Sequence, residues 1–199
     1  MSLFSNSPCV LRETAGGLER IAIEDEMLKS REIFLTGEVT ADSMNSLLKQ
    51  LMFLNRESPD EEITLYVNSP GGSVDSGLPV YDYIKSMSAP IKTVCVGLAA
   101  SMGAILFLAA GKREMLPHAR LMIHDPSHGA GSLAGMKPAQ LGEQLAALKK
   151  VQKELCDAIV EATGQSEKWV LNKTKTDTYF TAEEAVKNGL ATKIITKRA

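Results

Sequence analysis

Ser101, His124 and Asp177 are the residues of this chain whose types could together transfer an acyl group. A serine hydroxyl is a weak nucleophile until a base takes its proton. An imidazole serves as that base when a carboxylate holds its tautomer and steadies its charged form. Hydrogen-bond donors must also face the oxygen on which negative charge develops. The backbone N–H groups of Gly72 and Met102 stand in segments that can supply such donors. The order Ser, His, Asp along the chain is no obstacle, because geometry and not order defines such a set. Each residue also has a plainer reading: Ser101 as a cap or packing residue, His124 as a strand-end imidazole bonded to backbone, and Asp177 as a turn carboxylate bonded to its own main chain. Their combination is what points to chemistry.

The elements that must position them follow from the pattern. Ser101 lies in Gly97-Leu98-Ala99-Ala100-Ser101-Met102-Gly103-Ala104, between a β-branched run at 91–96 and an apolar run at 105–110. This predicts a buried strand, a small-residue turn and a buried helix, with Ser101 beside free N–H groups at the helix start. A strand at 31–37 precedes a helix capped by Thr40 or Asp42, whose Met44, Leu47, Leu48, Leu51 and Met52 share one face. A strand at 63–67 runs into Asn68-Ser69-Pro70-Gly71-Gly72-Ser73, predicted as a tight turn whose glycines let backbone approach a substrate. A helix with Val74, Leu78, Tyr81 and Ile84 inward comes next. This β-α-β order predicts right-handed crossovers and a mainly parallel sheet, with both glycine-rich segments at its C-terminal edge.

His124 closes a strand at 120–124. After a small, polar stretch at 127–135, apolar residues from Leu141 to Ile159 predict a helix over about 137–163. Twenty-six residues of helix span about 39 Å, so part of it is expected to project towards another subunit. Ser166 caps a short helix, 174–180 forms a loop entering a strand, and Thr181 with Glu184 makes a capping box. A last strand is expected at 191–195 and a flexible arm over residues 1–20.

The 199 residues fit one domain, 1–199, with no repeat or linker. The apolar share of 44%, charged share of 23% and net charge of -2 describe an ordinary globular chain and give no reason to expect nucleic acid or membrane as a partner. Residues 93–111 approach the length of a membrane span, but their β-branched start and glycine-interrupted middle fit a strand, turn and helix better. Cys9, Cys95 and Cys156 are widely spaced, which suits free thiols in a reducing compartment and no metal site. No phosphate-binding or dinucleotide-binding glycine motif is present.

Four motifs, Tyr66-Val-Asn-Ser-Pro-Gly-Gly72, Gly97-Leu-Ala-Ala-Ser-Met-Gly-Ala104, Leu121-Met-Ile-His-Asp-Pro126 and Asp177-Thr-Tyr-Phe-Thr-Ala-Glu-Glu-Ala185, together resemble the ClpP family of proteolytic subunits. The resemblance runs from about residue 8 to the C-terminus. It implies a ClpP/crotonase-like α/β fold of repeated β-α units with a projecting handle at about 125–160. It implies a serine endopeptidase that cuts unfolded polypeptides, with Ser101 as nucleophile, His124 as base, Asp177 as third member, and Gly72 and Met102 as oxyanion donors. Ser127, His128, Gly129 and Ala130 would bind the substrate backbone as an added strand. The resemblance further implies heptameric rings of one or more subunit kinds, stacked as a tetradecamer in the cytoplasm. A hexameric AAA+ unfoldase would use ATP, and this chain would carry no cofactor or metal. The sequence departs from the family pattern in Asp125, where Gln is usual after the histidine, in Thr176, where Arg is common, and in Thr64 and Ser86, where aromatics are typical. These departures suit a divergent paralogue in a mixed assembly. Two other readings share the resemblance: a ring subunit with little activity of its own, and a crotonase-type enzyme acting on acyl-CoA thioesters without need of Ser101.

Overall fold

The computed structural model describes residues 8–14, 16–127 and 135–196. The elements are β1 (Cys9–Thr14), β2 (Gly17–Ala22), α1 (Ile23–Lys29), β3 (Glu32–Val39), α2 (Ala41–Glu57), β4 (Ile63–Gly72), α3 (Val74–Ser86), β5 (Ile91–Ala100), α4 (Met102–Leu108), β6 (Lys112–Met115), β7 (Arg120–Ile123), α5 (Pro138–Thr163), α6 (Glu167–Thr174), β8 (Thr178–Thr181), α7 (Ala182–Lys187) and β9 (Lys193–Ile194). Among the described residues they form a mixed α/β body around a seven-stranded sheet. Its main path is β3-β4-β5-β6-β9, parallel throughout, as the β-α-β order requires. The β1 and β2 strands pair separately as an antiparallel ribbon, so the arm expected at 1–20 has regular structure over its described part.

The sheet divides along β5. Lys92 to Cys95 pair with Lys112 to Met115 of β6, whereas Leu98 to Ala100 pair with Arg120 to Met122 of β7. One long strand thus carries two short neighbours in succession on the same side. The β7 strand also pairs antiparallel with β8, Ile123 standing opposite Thr178. The ends of β5 and β7 and the start of β8 are thereby brought to one place.

Helices bury their predicted faces. On α2, Met44, Leu47, Leu51 and Leu54 are buried, while Met52 stays half exposed because it lies at the margin of that stripe. Every residue of α4 is buried, so this helix forms the centre of the core beneath β4 and β5. The 26-residue α5 behaves as two halves: Leu155, Cys156, Ala158 and Ile159 are buried, whereas Leu141 and Leu145 are exposed. Gly164 ends it with φ 71, a left-handed cap that favours glycine.

Several boundaries differ from the sequence reading, the strand expected at 31–37 running on to Val39 among them. Pro70-Gly71-Gly72 is no tight turn: β4 continues through it, with Glu38 opposite Gly71 and Val39 opposite Gly72. The strand before Ser101 runs on to Ala100, and the helix begins at Met102. Small residues that look like a turn can pair as strand when a neighbouring strand supplies the ladder. The last strand is two residues long, Lys193–Ile194.

Candidate active site

Ser101 is the single residue between β5 and α4, and its backbone takes φ 53 and ψ -125. A non-glycine residue rarely adopts positive φ, and such strain persists only where its surroundings enforce it. They do so from both sides. The Ser101 N–H donates to Met122 O at 2.9 Å, which continues the β5–β7 ladder. The Ser101 carbonyl accepts from Ala104 and Ile105 N–H at 2.9 and 3.2 Å, which opens the helix. The chain therefore passes from strand to helix through one sharp corner, and the hydroxyl stands at its apex.

Glycines allow neighbouring backbone to reach that corner. A Cβ on Gly71, whose φ is +91, would lie 2.6 Å from Ala100 O, 2.7 Å from Ser101 Cβ and 2.9 Å from Met102 N. The β4 terminus thus rests directly on the Ser101–Met102 link. Gly72 is equally confined: a Cβ there would meet Val39 O at 2.3 Å. The preceding pair fixes this strand end. Ser69, fully buried, donates from Oγ to Gly37 O at 2.6 Å and accepts from Gly71 N–H at 3.1 Å. Asn68 Oδ1 accepts from Leu98 N–H at 3.0 Å and fills the register shift between β4 and β5. Met102 is tucked against Gly77 of α3, where any side chain would collide with its own.

His124 follows β7 directly, and its Nε2 lies 2.8 Å from Ser101 Oγ. Its Nδ1 lies 3.1 Å from Asp177 Oδ1. A carboxylate can only accept, so the proton sits on Nδ1, and Nε2 of the neutral ring accepts from the Ser101 hydroxyl. Asp177 immediately precedes β8, and its position is set on both sides. The Asp125 N–H donates to Thr174 O at 2.7 Å, and Thr178 pairs opposite Ile123. The His124 side chain is part-buried, and that of Asp177 is 60% exposed in the isolated chain.

Beside Ser101 and His124 opens a mainly apolar pocket walled by Val74, Ile105, Ile123, Leu155 and Ile159. It joins α3, α4, β7 and α5 around one edge of Ser101.

Of the residues singled out from sequence, Ser101, His124 and Asp177 stand in one line, Ser101 hydrogen-bonded to His124 and Asp177 Oδ1 3.1 Å from the far ring nitrogen, and Met102 adjoins it. Gly72 ends the strand that rests on this corner. Ser127 is exposed shortly beyond His124, while His128, Gly129 and Ala130 lie outside the described residues. Sequence reading missed Gly71, Ser69 and Asn68 as supports of the corner. The signal was the compact Asn-Ser-Pro-Gly-Gly run, but which member meets what depends on the register between β4 and β5.

A family model described as Clp protease matches residues 15–198. The ATP-dependent Clp protease proteolytic subunit 1 of Prochlorococcus marinus (strain NATL2A) is 42% identical over 193 residues, covering 96% of each chain. A match of this extent, joined to the serine–histidine–aspartate line, leads to one conclusion: the chain belongs to the Clp protease family and is a serine peptidase.

Proposed function

We propose that peptide hydrolysis runs through Ser101, His124 and Asp177, with the backbone N–H groups of Gly72 and Met102 as oxyanion donors. The observation that carries the reading is the unbroken line from Ser101 Oγ through His124 to Asp177, at 2.8 and 3.1 Å. Ser101 Oγ attacks the scissile carbonyl as Nε2 takes its proton, and the carbonyl oxygen becomes an oxyanion facing the two N–H groups. Collapse transfers the Nε2 proton to the departing amine and leaves an acyl-serine. Water then attacks the acyl carbon and gives its proton to Nε2; the bond from that carbon to Ser101 Oγ breaks, Nε2 returns the proton to Oγ, and the new carboxyl end leaves. Asp177 keeps Nδ1 protonated throughout and stabilises the imidazolium.

The substrate backbone runs beside the segment that starts at Ser127 and includes His128, Gly129 and Ala130, as an added strand. The exposed Leu141 and Leu145 of α5 fit a handle that meets a second ring. The name of the Prochlorococcus relative supports assignment to the proteolytic side of an ATP-dependent protease. On this reading the chain assembles in heptameric rings paired as a tetradecamer, receives unfolded chains from a hexameric AAA+ unfoldase that consumes ATP, works in the cytoplasm and carries no cofactor. Among the described residues no helix is long and apolar enough to cross a membrane. The unusual Thr176 beside Asp177 favours, as a second reading, a ring of mixed subunits.

The test is labelling with a fluorophosphonate, followed by native sizing of the same sample. Labelling of the wild type and its loss in Ser101→Ala, with particle size unchanged, is expected. Equal labelling of both proteins would remove Ser101 as nucleophile. A labelled homotetradecamer would exclude the need for a second kind of subunit.

A further inference from the structure

The pocket beside Ser101 is not wholly apolar. Asp125 and Gln152 both line it, and Gln152 Nε2 donates to Asp125 Oδ2 at 2.8 Å. Gln152, Leu155, Cys156 and Ile159 also line it from α5, at the i, i+3, i+4 and i+7 spacing of one helix face. That wall therefore runs from a polar end at Gln152 to an apolar end at Ile159, about 10 Å along the axis. Thr174 adds a second polar group. It is 5% exposed, lines the same pocket, and its Oγ1 is buried with no hydrogen-bond partner among the described residues.

Among the described residues, Asp125 is the one carboxylate that lines this space. Besides Asp125, Asp157 and Glu167 act on Cys156 in the pocket wall. Together with burial, which is the largest cause, they push its thiol pKa up, against the opposing effect of Lys153. That lysine is itself paired with Asp157 and, at 3.8 Å, with Glu167.

On the peptidase reading above, the side chain preceding the attacked carbonyl, P1, must enter the space next to Ser101 Oγ. We infer that Asp125, held by Gln152, is a specificity-determining residue: it makes the pocket favour a long unbranched P1 side chain ending in a hydrogen-bond donor, lysine foremost, and disfavour an acidic one. The stem of such a side chain lies along Val74, Ile105 and Ile159, while its head reaches the carboxylate. Gln152 gives Asp125 one hydrogen bond, and a carboxylate accepts several. A purely apolar P1 residue strips water from Asp125 without replacing it, which is costly. A donor restores the lost bond, and an ammonium adds opposite charge. A P1 carboxylate would face Asp125 with like charge and offer no proton.

The experiment compares peptides identical except at P1, carrying lysine, norleucine or glutamate, on wild type, Asp125→Asn and Asp125→Gln. Both variants remove the charge yet keep an amide oxygen to accept from Gln152, and two variants guard against misfolding of one. A fall of about tenfold or more in the lysine-to-norleucine ratio of kcat/KM is expected in both, the size of a lost charge-assisted contact. The lysine-to-glutamate ratio should fall further. For preparations that turn over slowly, inactivation rates with peptidyl phosphonates bearing the same P1 groups give the same comparison. Ratios within twofold of wild type in both variants would overturn the assignment, whatever the absolute rates. A wild type that neither cuts the norleucine peptide nor takes the phosphonates would instead sink the peptidase reading, and the inference with it.

Discussion

Ser101 shows how a single residue can be held in a conformation that its backbone resists. At φ 53 and ψ -125 a side chain is unfavourable by roughly 1–3 kcal/mol. That predicts an inverted order of stability at this position. Elsewhere, glycine in a helix or strand is about 0.5–1 kcal/mol worse than alanine. Here Ser101→Gly should unfold at or above the denaturant midpoint of Ser101→Ala, and a clearly lower midpoint would mean that the corner is not strained. On the proposed mechanism Asp177 is the complementary case, since its contribution is orientation. Its carboxylate is well exposed in the isolated chain, so little stability rests on its pairing with His124. Asp177→Asn should melt close to wild type yet lose on the order of 10⁴-fold in kcat, as the corresponding change does in the Ser-His-Asp template. An amide can donate to Nδ1 and so hold the ring in the wrong tautomer. An unchanged kcat would remove Asp177 from the relay. That these three side chains meet was legible from their types and flanks. The strain at Ser101 was not, because φ depends on where β7 and α4 anchor its two peptide groups.

At the scale of elements, the site is made by strand ends. The β5 strand pairs first with β6 and then with β7, so Ala100 stands opposite Met122, and Ser101 and His124 each follow within two residues. Antiparallel pairing of β8 with β7 then returns Asp177 to the same edge. The β4 terminus is the fourth strand end, and glycine lets it touch the corner. Gly71→Ala would drive a methyl into Ala100 O, Ser101 Cβ and Met102 N at a φ that already disfavours it. The expected result is a fall of about 10²-fold or more in the rate of fluorophosphonate labelling, since displacements near 1 Å at a reacting centre have effects of that size. A labelling rate equal to wild type would show that β4 does not support Ser101. The sequence announced the elements through periodicity and caps: Thr40 accepts from Ser43 N–H, Ser166 from Trp169 N–H, and Thr181 pairs with Glu184 as anticipated. It misplaced the ends of β4 and β5 because small residues carry no periodic signal. Whether Gly-Gly or Ala-Ala forms turn or strand is decided by what lies alongside, and local spacing contains no information on that.

At the scale of the molecule, the long α5 was readable from its repeat of leucines and branched residues, and its division into exposed and buried halves suits a part that both completes the core and meets another subunit. A less visible device holds the opposite end together. Arg113 on β6 is 8% exposed, and no carboxylate is its partner among the described residues. Its Nε donates to Leu190 O at 3.0 Å, Nη1 to Ala110 O at 2.8 Å, and Nη2 to Ala162 O at 2.9 Å and Gly189 O at 3.0 Å. One guanidinium therefore ties the exit of α4, the last turn of α5 and the turn between α7 and β9. Burial lowers its pKa, yet a guanidinium stays charged at neutral pH. Nothing in the Lys-Arg-Glu-Met context of Arg113 distinguishes it from a surface arginine, because its carbonyl partners lie as far as 77 residues away. Arg113→Leu strips donors from four buried or part-buried carbonyls and should cost about 3 kcal/mol or more, lowering Tm by roughly 6–12 °C for a chain of this size. Arg113→Lys keeps the charge but offers a point ammonium in place of a planar fork, so it should recover only part of that loss. Differential scanning calorimetry of the three proteins decides the matter. A lysine variant that melts with wild type would show that charge alone, and not the spread of donors, holds these three elements together.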